Sequence, residues 1–98
     1  MNKAKIGGTD YRIKRVNELT DTETGIELFG NIESAECVIS ICTKYPRQRQ
    51  ILTEIHELFH GISNEYNLGW NEKTTSLYAA IFYAFIKDNK QLVRELCT

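Results

Sequence analysis

Proline and tryptophan each occur once and histidine twice in these 98 residues, and the three cysteines form no C-x-x-C pair. Each scarcity excludes something. With only two histidines, a metal site would have to find its remaining ligands among carboxylates or thiolates. Cys37, Cys42 and Cys97 are an odd set without paired spacing, which fits neither a disulfide framework nor a cysteine-rich zinc module. Cys37 and Cys42 on one strand would face opposite sides and could not bridge each other, so reduced thiols are expected. Neither charge dominates: 12 basic and 13 acidic residues leave a net charge of −1, which creates no field for nucleic acid or a membrane surface. The one basic cluster, Lys44, Arg47 and Arg49, accompanies no nucleic-acid-binding motif, so it is either a solvated end or a patch that meets an acidic partner or substrate. The opening Met-Asn-Lys-Ala-Lys-Ile-Gly-Gly has no apolar run of the signal-peptide kind. The longest apolar run, residues 77–86, is ten residues, about half of a bilayer crossing, and reads as a buried core segment. A cytoplasmic protein without membrane attachment is the expectation.

What is present is an ordinary globular composition, 42% hydrophobic and 26% charged, on a chain long enough for one domain spanning residues 1–98. No repeat or linker divides it. A core this thin would gain substantially from a bound metal. The first half reads as strands at residues 10–16, 26–32 and 36–42, the last alternating with Cys37, Ile39 and Ile41 on one face. Residues 17–25 read as an exposed loop with Gly25 suited to positive φ, and residues 31–36 as a hairpin connection. Short connections predict a small antiparallel meander.

At Pro46, which suits the first position of a helix, the period changes from two to 3.6. A helix is expected to run to Glu65 or Tyr66 and to end in the turn Asn67-Leu68-Gly69. Asn71 is a good N-cap for a second helix over residues 72–87, apolar nearly all round and therefore expected to be buried. A short last helix over residues 90–96 completes an α+β fold: a β-meander, two main helices and a C-terminal helix.

The first helix carries His56-Glu57-Leu58-Phe59-His60, a match to H-E-x-x-H. Residues four apart lie one turn above each other on one helix face. Two imidazoles can then reach one zinc ion at ~2.0–2.1 Å, with the intervening Glu aimed at a metal-bound water. On a helical wheel with Ile51 at zero, Leu58, Ile62, Ile55, Phe59 and Leu52 form a stripe of about 120°. His56 and His60 fall at ~140° and ~180°, beside the stripe, and Glu57 at ~240°. The expectation is an apolar face on the sheet, histidines at its edge, and Glu57 toward solvent or a cleft.

Catalytic zinc usually takes three protein ligands, so a carboxylate or thiolate must complete the set. Glu72 is the first choice, because a tight helical hairpin would return the first turn of the second helix to the motif. Glu65 is the competitor, although a rigid helix would carry it away from the histidines. Ser76, one turn after Glu72, either supports that ligand or simply lets two helices approach. Tyr66 and Tyr83 are the available donors for an oxyanion.

Strands, then His56-Glu57-x-x-His60, then a helix opened by Glu72 and closing on Lys87-Asp88-Asn89 resemble small phage and mobile-element metallopeptidases of the ImmA/IrrE type. The resemblance covers roughly residues 26–89; many relatives carry an apolar residue where Glu54 stands and Asp where Ser76 stands. It implies a gluzincin-like, zinc-dependent peptidase with His56, His60 and Glu72 as ligands and Glu57 as general base. It also implies a protein or peptide substrate, such as a repressor or other regulatory protein. The alternative reading is a catalytically inactive protein, stapled by its metal, that binds and regulates a host protein.

Overall fold

Alternating apolar residues build the sheet. In the computed structural model, which describes residues 2–98, the chain forms β1 (Lys3–Ile6), β2 (Thr9–Val16), β3 (Gly30–Glu33) and β4 (Val38–Cys42). The helices α1 (Arg47–Glu65), α2 (Glu72–Asp88) and α3 (Lys90–Leu96) follow. The fold is α+β, a four-stranded sheet followed by three helices. Ile6, Tyr11, Ile13, Ile39 and Ile41 are the buried core of the sheet face that meets α1, with Ala4, Ile32, Leu58 and Ile62 packed against them.

The sheet departs from an antiparallel meander. Its order is β1-β2-β4-β3, and β4 lies parallel to β2, with Ile13 opposite Ile39, while pairing antiparallel with β3. The reason is the 13-residue connection 17–29. It carries the chain past the neighbouring position before β3 begins, so the β3–β4 hairpin folds β4 back into the gap. The β3–β4 turn takes up Cys37 at φ 57°, so Cys37 lies in the turn ahead of the strand, although it still packs against the core with Ile39 and Ile41. β1, unforeseen, forms a hairpin with β2 through Gly7 and Gly8 at φ 55° and 86°, the two positive values a two-residue turn of this hand requires.

α1 ends as expected. Asn67, at φ 54°, reverses the chain, and the amides of Leu68 and Asn67 donate to the carbonyls of Ser63 and Asn64, a Schellman closure. Asn71 caps α2 by accepting from the Thr74 amide at 2.8 Å. α2 packs on α1, so the layers are sheet, α1, α2. Only Thr75 and Ala79 of α2 are buried, and the expected all-round burial does not occur. Leu77, Tyr78, Ile81 and Phe85 remain 42–57% exposed, because a helix in the outermost layer has a neighbour on one side only. Among the described residues, no helix is long and apolar enough to cross a membrane.

Two polar groups at these packed faces give testable consequences. Tyr11, fully buried, donates from its hydroxyl to Glu65 at 2.6 Å, and Thr9 donates to the same carboxylate at 2.9 Å. Burial, then the Glu65 carboxylate, pushes the phenol from its ordinary value near 10 up to about 12. A folded-state value raised above the unfolded one stabilises fully below about pH 10 and is lost as pH climbs toward 12. Tyr11→Phe should lower stability by about 1–2 kcal/mol at pH 8. The gap to wild type should narrow between pH 10 and 12, read by urea unfolding across pH. Thr75 is wholly buried between the helices, and its hydroxyl has no hydrogen-bond partner among the described residues. Thr75→Val keeps the shape and removes that unpaired group, so urea unfolding should show a gain of about 1 kcal/mol.

Candidate metal centre

The motif helix sits with two of its faces occupied. One side, built from Thr53, Glu57 and Gly61, runs over the sheet. A Cβ on Gly30 would stand 2.5 Å from Thr53 Cγ2 and 3.4 Å from Glu57 Cγ, and one on Gly61 would stand 2.8 Å from Ile6 Cδ1. Glycine at both places is what lets α1 lie so close to β3 and β1. The other side, with Ile55, Phe59 and Ser63, meets α2 and the turn before it. Phe59 lies 5.3 Å from the Phe82 ring and 6.2 Å from Trp70, and Ser63 Oγ accepts from the Trp70 amide. α1 is thus rolled about its axis relative to the expected packing, and of the two expected placements for Glu57, solvent or a cleft, it takes the cleft, buried over β3.

His56 and His60 lie on the α2 side, and the Schellman turn brings the first turn of α2 back to them. Glu72 Oε1 is 2.7 Å from His56 Nε2, and Glu72 Oε2 is 2.8 Å from His60 Nε2. The two Nε2 atoms are 3.1 Å apart, with the rings edge to face at 76°. All three donor groups offer a ligand atom within 4.8 Å of one another. This convergence fits a cation. Two zinc–nitrogen bonds of ~2.05 Å at a tetrahedral angle put their nitrogens ~3.3 Å apart, close to the spacing already present. Imidazole nitrogens and a carboxylate suit several transition metals, zinc among them. The imidazoles are about one-fifth exposed and the Glu72 carboxylate is 70% exposed, so a ligand can approach from the Glu72 side.

The cleft beside this triad has a volume of about 440 Å³; its walls include Gly30, Thr53, His56, Glu57, Glu72 and Ser76. Glu57 is 7% exposed. Burial first, and the Glu72 carboxylate second, push the Glu57 carboxyl up to about 7. A carboxyl near neutrality can both accept and give a proton.

His56, His60, Glu72 and Glu57 are therefore brought together. Glu65 is not: it is engaged by Thr9 and Tyr11 at the far end of α1. All three cysteines are free and none belongs to the triad. Tyr66 and Tyr83 do not line the cleft. Tyr66 lies against Gly7, and Tyr83 faces an adjoining hollow with Phe29 and Tyr45. Ser76 lines the cleft without reaching the triad by a hydrogen bond. Gly30, on the cleft wall, was missed as a site residue, and Arg49, also on that wall, was read only as part of the basic cluster. A glycine interrupting a strand was the available signal for the first, since such a residue often marks a close approach. Comparison with protein-family models, curated proteins and solved structures gives no match.

Proposed function

We propose that this chain is a zinc-dependent peptidase of the gluzincin-like, ImmA/IrrE-resembling kind, with His56, His60 and Glu72 as metal ligands and Glu57 as general base. The observation that carries the reading is the convergence of two helices on one point: both Nε2 atoms of the motif and the two oxygens of Glu72, with a buried carboxyl next to them. A zinc ion held there by His56, His60 and Glu72 would supply Lewis acidity. Glu57 takes a proton from the attacking water and passes it to the amide nitrogen as the carbon–nitrogen bond breaks. Burial over Gly30 holds that carboxyl in place beside His56 and Glu72 on the cleft wall. His56 and His60 would hold the ion through Nε2, the two atoms that their shared helix face brings to 3.1 Å of each other. The substrate is a protein or peptide strand lying in the cleft.

The test is zinc content combined with hydrolysis. Protein purified without chelators should carry about one zinc per chain, His56→Ala none. The zinc-loaded wild type should cut members of a blocked peptide library. Absence of stoichiometric zinc ends the metal assignment. Zinc without any cleavage favours the second reading, a metal-stapled binding protein, which draws support from the exposed apolar side chains of α2.

A further inference from the structure

The basic cluster that opens α1 separates into three residues with different surroundings. Lys44 is taken by Glu27 at 2.6 Å. Arg47 lies ~160° around the helix from Arg49 and is not on the cleft wall. Arg49 is on that wall, together with His56, Glu57 and Glu72. It lies two turns before His56 and ~20° from it around the axis, so both look into the same trough about 10 Å apart. Its guanidinium sits over the Phe29 ring, 4.9 Å from the centroid, and Phe29 is braced edge-on by Tyr45 at 4.6 Å. A guanidinium held over an aromatic ring keeps N–H donors for a planar acceptor. No carboxylate of the described residues is within ion-pair reach of it. Of the other acids on the wall, Glu27 is compensated by Lys44, Glu72 belongs to the histidines, and Glu57 lies buried.

We infer that Arg49, held over the Phe29 ring, is a specificity-determining residue that receives a carboxylate of the peptide bound in the cleft. This rests on the peptidase reading for the presence of a peptide there. A separation of about 10 Å corresponds to about three residues of extended chain, so the carboxylate belongs to an Asp or Glu side chain, or to the peptide's C-terminus, about three residues from the bond facing Glu57. A partly covered, bidentate Arg–carboxylate contact selects by about threefold to tenfold.

The test uses acetylated, amidated hexapeptides in which one Glu moves along an Ala/Leu background, with Gln counterparts, bound to the zinc-loaded Glu57→Gln protein. An all-Gln series with a free C-terminus distinguishes a terminal from a side-chain carboxylate. One register of Glu, or the free terminus, should bind about threefold to tenfold more tightly than its neutral counterpart. Arg49→Met should abolish that preference, and Arg49→Glu should transfer it to peptides with Lys in the same register. The transfer is a readout that a merely structural role for Arg49 would not move. Equal binding of charged and neutral peptides in every register overturns the inference, as does a Glu preference that survives Arg49→Glu. Wild-type protein that hydrolyses no peptide, while the Arg49-dependent preference is present, removes the peptidase reading and supports the subsite.

Discussion

Replacing Glu57 by glutamine is expected to reduce peptide hydrolysis by at least about 100-fold while leaving zinc content and melting temperature close to wild type. The expectation follows from where the side chain sits. Glu57 is in the floor of the cleft, 7% exposed, and is not one of the three groups, His56, His60 and Glu72, whose ligand atoms converge. Glutamine has the same shape, so the close packing of α1 over Gly30 is kept. It carries no charge, so the buried site loses a group whose ionisation is already disfavoured by burial and by Glu72. Only proton transfer is removed. Zinc content and peptide cleavage should therefore separate, a result that a purely structural glutamate would not give. Retained activity in Glu57→Gln would show that another group moves the proton. Loss of zinc together with activity would place Glu57 in the ligand set.

The parts of this site that are local in sequence were legible before the fold was known. His56 and His60 share a helix face through spacing alone. Asn67 and Gly69 announced the end of α1, and Asn71 the start of α2, so the return of Glu72 to the histidines followed from the length of one turn. The two ends of α1 also explain why Glu65 lost: five residues past His60 on a rigid helix, it was carried to Thr9 and Tyr11. What was not legible is non-local. The insertion of β4 between β2 and β3 depends on which strand finds which partner, and no alternation pattern encodes that. The wheel placed Glu57 correctly relative to the histidines but could not say that the sheet would lie against the Thr53–Glu57–Gly61 side. Gly30, far away in sequence, makes that contact possible. The apolar character of α2 likewise says that many of its positions favour burial, but not how many layers surround it.

Zinc added at about 100 times its dissociation constant is expected to raise the melting temperature by on the order of 10 °C, and Glu72→Ala should lose more than half of that shift. Ligand at that excess stabilises by about 2.7 kcal/mol, and a domain of this size moves by about 4–8 °C per kcal/mol. Without zinc, the same substitution should change little. The Glu72 carboxylate is 70% exposed, so its contacts with His56 and His60 are screened by water. α2 is meanwhile held to α1 by Thr75, Ala79 and the Phe59–Phe82 contact, which the substitution does not touch. The two measurements thus divide the roles of one side chain: a minor bridge between helices in the apo protein, and the ligand that ties α2 to α1 in the loaded one. A Glu72→Ala protein with the full zinc-dependent shift would mean that the histidines bind metal with some other partner. A wild-type protein with no zinc-dependent shift would mean that the convergence of His56, His60 and Glu72 is not a metal site, and a Glu72→Ala protein already strongly destabilised without zinc would mean that the contact is structural.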